Sequence, residues 1–448
     1  MSNLLTTISP EFEILTQTNF LNRQVRDAVQ PEYIWRRIAS SEMEVYPSKI
    51  GIPEIISVRG LKTPKTQTNN VSVPTDLNAG MTARGANYEQ FTIQVDRYDD
   101  LDYVDMFARN LPIADKFLET YITMGQGASL SQDFIARNYL YDAYTAGTTF
   151  VKTALSNAST TIHVDDVRRF QPYTGAQGEV ATANVTVGAN TYVLASVAYD
   201  GTNVSSLVFT DGSSFDGSGI FGRSGTLTFT TSVATTDATL NSPVVAVNAP
   251  TQIFANAATS LATLQSTSTL TMKDIQKARN VLANNGMLRA SNGKAKLYAT
   301  PNALYGLYRD PEFQLLYRGR YESSTYESGK VADLLNIEII EVQSAPVQTN
   351  YGSFTVERSI MVADGAIIEA RKTEDMVRPE VDGPAHVVVE DNIAVITTAP
   401  IDAANQFVKI AALQFVGYAA RTDRAVTPAI IPTATVANYK RAVVLVSA

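Results

Sequence analysis

The period of the apolar positions changes several times along this 448-residue chain, and each change marks an element. Residues 1–43 are mostly polar, and their clearest periodic stretch is 31–40. There Pro31 suits the first turn of a helix, and Ile34, Trp35 and Ile38 follow at three-and-four spacing. An arm this short cannot bury its own apolar side, so it is expected to lie along the rest of the fold or along another subunit, anchored by Trp35. Residues 44–98 show β patterning at both ends, in IGIPEIISVRGL and in YEQFTIQVDRY, where Tyr88, Phe91, Ile93 and Val95 sit near period two. The polar stretch between them holds Pro64, Pro74, Gly80 and Gly85, which predicts a long two-stranded ribbon with an extended tip. Two strands alone bury too little to be stable in water, so the ribbon needs a neighbour.

Residues 111–144 switch to helical spacing, opened by Pro112 and carrying Phe117, Tyr121, Met124, Ala128, Ser131 and Ile135. Gly125 and Gly127 inside this helix each cost up to ~1 kcal/mol relative to Ala, so a bend or a close packing contact is expected there. Gly147 stops the helix. Charge then nearly vanishes: residues 171–270 hold Glu179, Asp200, Asp211, Asp216, Arg223 and Asp237, and no other charged side chain. Short Val, Thr, Tyr and Phe runs alternate there with Asp-Gly, Gly-Ser and Ala-Asn turns, which predicts an inserted all-β sandwich or barrel over 151–268. Helical spacing returns in LTMKDIQKARNVLANNG, with Thr271 as N-cap, Asp274 three residues on, Ile275, Ala278, Val281 and Leu282 on one face, and Gly286 at the end. A strand KLYAT, a short helix NALYGLYRD and the charged loop YRGRYESSTYESGK follow, then strands at 337–342, 359–362, 367–370 and 386–389. The final YKRAVVLVSA reads as a strand of a central sheet. No repeat of 20 to 50 residues is visible, which argues against solenoids and propellers.

Composition narrows the chemistry. The length is about three times the ~150 residues of a common domain, so two or three cooperating units are expected. With no Cys, thiolate metal sites, disulfides and cysteine nucleophiles are excluded, and only His163 and His386 remain as imidazoles. A Ser-His-Asp triad would have to use one of these two. The net charge of -8 argues against a protein that grips nucleic acid through phosphates, yet it permits one that encloses it, because an acidic wall does not adhere to polyanion. The first thirty residues lack a basic leader followed by an apolar run, and no stretch approaches the ~20 apolar residues that cross a bilayer, so folding in a cytoplasm with no membrane partner is expected.

The candidate sites are few. Asp99, Asp100, Asp102 and Asp105 could hold a metal, but the pattern places them where a strand yields to a helix, and acidic residues are ordinary against a positive helix end. The run from Asp211 to Asp216 lacks the third acidic position and the closing Glu of a calcium loop. Residues 286–294 have the wrong spacing for a phosphate loop. Isolated histidines such as His163 and His386 are ordinarily hydrogen-bonded surface or core residues. No catalytic, metal or cofactor site is expected.

The order of elements resembles the tailed-bacteriophage major capsid protein family. Soft motifs carry the likeness too: YEQFTIQVDRYDDLDYVDM leading into the long helix, GKAKLYATPNALYGLYRDPEF, and VADLLNIEIIEVQSAPV. The resemblance is closest to podovirus-type members with extra β-structure after the spine helix. It implies an α+β fold with an N-terminal arm (1–43), an extended ribbon loop (44–98) and a peripheral domain with the spine helix (99–150). The inserted β-domain (151–268), an axial domain (269–385) and closing peripheral strands (386–448) would follow. It also implies a non-enzymatic subunit without cofactors, self-assembling into pentamers and hexamers of an icosahedral virion shell in the host cytoplasm. Its implied partners are other copies of itself, a portal protein, a separate scaffolding protein, a decoration protein and packaged double-stranded DNA.

Contacts between subunits are expected from Arg59, Lys62, Lys65 and Arg84 of the ribbon and from Arg318, Arg320, Glu322 and Glu327 of the charged loop. Lys62 and Lys65 are also placed where some relatives crosslink, but nothing in the sequence shows the catalytic acid or the acceptor, so ordinary electrostatic contacts are expected of them. Two rivals remain. An encapsulin-type compartment shell shares the fold, and a ligand- or carbohydrate-binding protein could use Tyr192, Tyr199, Phe209, Phe215 and Phe221 of the β-rich middle as aromatic platforms.

Overall fold

The computed structural model describes residues 33–39, 43–45, 54–59, 88–105, 113–170, 183–200, 207–208, 214–216, 224–259, 263–289, 294–318, 333–334, 336–351, 354–371, 385–390, 393–398, 407–421 and 437–448. The fold is mixed α+β and rich in sheet. Two compact units divide the chain, one made of Met1–Ile55, Thr92–Leu140 and Ile367–Ala420, the other of Ile56–Phe91, Tyr141–Ala366 and Arg421–Ala448. Among the described residues the α-helices are α1 (Arg36–Ala39), α2 (Ile113–Thr145), α3 (Met272–Asn284), α4 (Pro301–Arg309) and α5 (Pro311–Arg318).

The first unit is organised by the strand Phe407–Ala420. Along one edge it pairs antiparallel with Asp96–Asp105, and along the other it pairs first with Ile393–Thr398 and then with Ile367–Arg371. Ala385–Glu390 extends the sheet beyond Ile393–Thr398, and Met43–Val45 adds to Ile367–Arg371 in parallel. One face of this sheet buries Val104, Val388, Ile393, Val395, Val408, Ile410 and Ala412 against Tyr121, Met124 and Ala128 of α2. The spacing of Tyr121, Met124 and Ala128 read from the sequence is the spacing that meets the sheet, whereas Ser131, expected on the same face, is exposed and Ile135 only half-buried. Gly417 permits a close approach, since a Cβ there would lie 2.1 Å from the Gln94 carbonyl oxygen. Gly127 differs from expectation: a Cβ there would meet nothing within 4 Å, so no contact inside the described chain explains it.

The second unit contains a mixed sheet around Phe354–Val362. That strand pairs on one edge with Ala442–Ser447 and on the other with Ala295–Ala299 and Val347–Tyr351. Ala295–Ala299 runs parallel to Ile337–Glu341, with α4 and α5 in the connection between them. The core holds Leu270, Ile275, Ala278 and Leu282 beside Leu297, Leu304, Leu307, Phe313, Met361 and Leu445. At the start of α3 the Asp274 carboxylate accepts from both the N–H and the hydroxyl of Thr271, and Gly286 follows the helix at φ +73°. Ala442–Ser447 is buried at every position because it also pairs, in parallel, with Gln252–Phe254. Sequence order placed this last strand with the closing peripheral segment. Pairing places it in the second unit, while Ile367–Arg371, read as axial, belongs to the first.

The β-rich middle forms a barrel. Its strands run in the order Thr148–Phe150, Pro243–Ala246, Asn184–Val187, Asn190–Tyr199, Gly225–Val233 and Ser159–Val164, all antiparallel. An antiparallel bridge between Val151 and Val164, with hydrogen bonds Lys152 N–H to His163 O (2.8 Å) and Asp165 N–H to Phe150 O (3.2 Å), returns the last strand to the first. Closure removes free edges, and alternate side chains such as Ile162, Val164, Val185, Val187, Leu227, Phe229 and Val244 fill the interior. Between barrel strands, Ser214–Asp216 leaves to pair antiparallel with Val347–Tyr351 of the mixed sheet. Arg168 fixes the barrel to the end of α2 by bonding Asp166 (2.7 Å) and Asp142, and Arg169 takes φ +65° with its guanidinium over the Tyr439 ring.

These two glycines predict opposite outcomes in urea unfolding. Gly417→Ala forces a backbone clash and is expected to lower stability by about 2–4 kcal/mol. Gly127→Ala has space and a helical backbone, and is expected to raise it by up to about 1 kcal/mol.

Candidate interaction site

The best-built polar constellation lies in the first unit, where the N-terminal segment meets α2 and the sheet. Asp133, buried on α2, accepts hydrogen bonds through Oδ1 from the backbone N–H groups of Ile34 (3.1 Å), Trp35 (2.8 Å) and Arg36 (2.9 Å). A turn as short as α1 has most of its N–H groups unsatisfied from within, so a carboxylate from a distant element caps it. The Arg36 guanidinium then pairs with the buried Glu369 at 2.9 Å, and its Nε reaches both carboxylate oxygens at 3.1 and 3.2 Å. It also lies over the Tyr33 ring, and Trp35 is fully buried. With Met43–Val45 paired to Ile367–Arg371, the segment is fastened at two places.

Burial sets the titration behaviour of this cluster. It pushes the Asp133 carboxyl above the ordinary range, outweighing the three N–H donors and the nearby Arg137, which pull it down. A carboxyl raised on folding contributes most below its unfolded pKa and loses that contribution as pH climbs through the raised value. Tyr418 is held well above the usual phenol range, by burial first and by the Glu369 charge second. Tyr98 is pushed up to about 12 by burial and by its neighbour Tyr139. Both shifts favour the protonated phenol.

Most of the sequence-predicted contact residues lie outside the described residues: Lys62, Lys65, Arg84, Arg320, Glu322 and Glu327. Arg59 ends the strand Glu54–Arg59 and Arg318 ends α5, and the side chains of both are likewise outside the description. Asp99, Asp100, Asp102 and Asp105 all lie on the strand Asp96–Asp105, and α2 is the next described element after it. His163 is exposed on the barrel with Nδ1 3.0 Å from the Thr226 hydroxyl, and the side chain of His386 lies outside the description. Tyr192 is engaged by Asp237 (2.5 Å) and stacks near Phe229, whereas Tyr199 is exposed; Phe209 and Phe221 lie outside the described residues, as does the side chain of Phe215. Among the described residues, no group of three or more His, Cys, Asp or Glu could hold a metal, and no helix is long and apolar enough to cross a membrane.

Asp133 and Glu369 escaped sequence reading. The available signal was a lone acid within each apolar pattern, in SQDFIA and IIEAR, which the alternation rules assign to solvent. Apolar side chains are exposed elsewhere: Leu101 and Tyr103 on the sheet, Leu130 and Phe134 on α2, Tyr305 on α4 and Leu315 on α5.

The anchor makes a clear prediction for unfolding at neutral pH. Asp133→Asn keeps the accepting oxygen and is expected to change stability by less than about 1 kcal/mol, whereas Asp133→Ala strands three donors and costs about 2–4 kcal/mol. Glu369→Gln leaves the Arg36 charge buried without its partner, for a loss of about 3–5 kcal/mol.

No protein-family model matches the sequence, and no curated protein is similar to it. Among solved structures the chain is similar to the capsid of the cyanophage P-SCSP1u, at 10% identity over 93% of this chain and 88% of that one, with a TM-score of 0.44. It is similar to the capsid of Ralstonia phage GP4, at 10% identity over 90% and 86%, with a TM-score of 0.44. It is also similar to the mature capsid of bacteriophage PhiM1, at 9% identity over 93% and 87%, with a TM-score of 0.44.

Proposed function

We propose that the protein is the major capsid protein of a tailed double-stranded DNA bacteriophage, a structural subunit that assembles with copies of itself into the pentamers and hexamers of an icosahedral shell. The observation that carries this reading is the two-stranded ribbon of Glu54–Arg59 and Tyr88–Ile93, which among the described residues joins none of the three larger sheets. Two isolated strands gain too little burial to persist alone, and Ile55 on this ribbon is 64% exposed. An element of that kind is stable when it lies on another copy. The 33-residue α2 laid on a sheet, the pinned N-terminal segment and the inserted barrel support the same reading, because they follow in the order expected of such a subunit.

The mechanism is geometrical. Arm and ribbon extend across neighbours and bury apolar surface there, the α3–α5 region closes the ring, and many modest contacts repeated by symmetry resist the pressure of packaged DNA. Arg59, Lys62, Lys65 and Arg84 carry the ribbon's positive charge toward acidic neighbours, and Arg318, Arg320, Glu322 and Glu327 pair across the ring. A separate scaffolding protein sets curvature, a portal occupies one vertex, and a decoration protein can bind outside. Assembly takes place in the host cytoplasm, and DNA lies near the inner wall without sequence-specific contact.

Replacing residues 61–86 by a short Gly-Ser turn tests this. Electron microscopy of the chain with its scaffold is expected to show closed shells for the natural sequence and only soluble subunits with an unchanged unfolding midpoint for the shortened one. Equal shells from both would overturn the role of the ribbon.

A further inference from the structure

The strand Asp96–Asp105 has an unusual composition for its position. It is ten residues long, DRYDDLDYVD, and five of the ten are Asp, a residue that disfavours strands. It pairs along its full length with residues 407–416, and among the described residues no strand pairs with its other side. In an antiparallel ladder every second N–H points away from the partner, so a free edge of this length presents a row of donors to any passing strand. Leu101 and Tyr103 are exposed on the same stretch and would add apolar adhesion to such a pairing.

Two of the carboxylates close that row. Asp100 Oδ1 accepts from the Leu101 N–H at 2.8 Å, and Asp102 Oδ1 accepts from the Tyr103 N–H at 2.7 Å. Each Asp thus turns onto the next residue's N–H, and the two bonded N–H groups are two residues apart, so they share a side of the strand. Asp96 and Asp99 do something else: Asp96 accepts from the Gln94 side chain at 2.7 Å, and Asp99 pairs with Arg97 at 3.3 Å. Among the described residues the acidic run belongs to no group that could hold a metal.

We infer that Asp100 and Asp102 guard this edge, occupying N–H groups that a second copy of the chain would otherwise pair with by strand addition. The most direct unwanted partner is the same edge of another copy, because an antiparallel pair of identical strands is self-complementary about a twofold axis. The guard leaves association to surfaces other than this edge. It does not depend on the shell reading, since any soluble chain with this strand faces the same hazard.

The test compares full-length variants of equal charge. Asp100→Thr with Asp102→Thr removes the caps, and Asp96→Thr with Asp99→Thr removes the same charge but no cap. Light scattering and sedimentation of freshly purified, unassembled chain are expected to show the first pair associating roughly tenfold faster than the second, the scale of about one net hydrogen bond regained. Hydrogen exchange is expected to show the Leu101 and Tyr103 amides protected in the associated material. Asp100→Asn with Asp102→Asn keeps an accepting oxygen without charge, and is expected to behave like the control pair. Equal association by both Thr pairs, association with those amides unprotected, or an Asn pair that associates like the uncapped one would each overturn the guard. Unfolding midpoints matching the control pair exclude a general loss of fold.

Discussion

The strand Phe407–Ala420 is the constraint on which the first unit depends. Its fourteen residues pair with segments from residues 96–105, 367–371 and 393–398, the first of which is more than 250 residues away from the other two in sequence. Its apolar face receives α2, and the sheet it organises carries Glu369, which holds Arg36 and with it the N-terminal segment. The close approach at Gly417 lets the chain before the Asp96–Asp105 strand cross next to it. If this strand slipped by one residue, its inward and outward faces would exchange, and the packing of α2 and the pairing with Asp96–Asp105 would fail together.

The same chain also contains elements that this core does not satisfy. Among the described residues the ribbon stands outside the three larger sheets, apolar side chains on α2, α4 and α5 face solvent, and Gly127 weakens a long helix without a contact to account for it. In a monomer these features are costs without return. On the proposed reading, a symmetric assembly would turn each into a contact multiplied by the number of copies. The barrel is the opposite case, closed on itself and internally satisfied, and it is joined to its unit by Arg168 and by the Ser214–Asp216 strand.

Local signals were legible in the sequence. The spacing of Tyr121, Met124 and Ala128 marked a buried face of α2, Thr271 with Asp274 marked the start of α3, and the short Val, Thr, Tyr and Phe runs between turn residues marked the strands that carry Val185, Leu227 and Val244. What escaped depends on which strands pair. Nothing in AVVLVS shows that it lies between Phe354–Val362 and Gln252–Phe254, and nothing in IIEAR shows that its Glu meets an Arg more than three hundred residues away. The acidic run was visible, but which side of its strand is paired was not, because an edge is a property of the sheet and not of the strand.

The most direct test of the shell account is the mass and shape of what the chain forms with its scaffold, measured by charge-detection mass spectrometry together with electron microscopy. The account predicts closed particles whose mass is a whole number of subunits compatible with icosahedral symmetry, accompanied by rings of five and six. A chain that remains a monomer under every assembly condition, scaffold included, would contradict it.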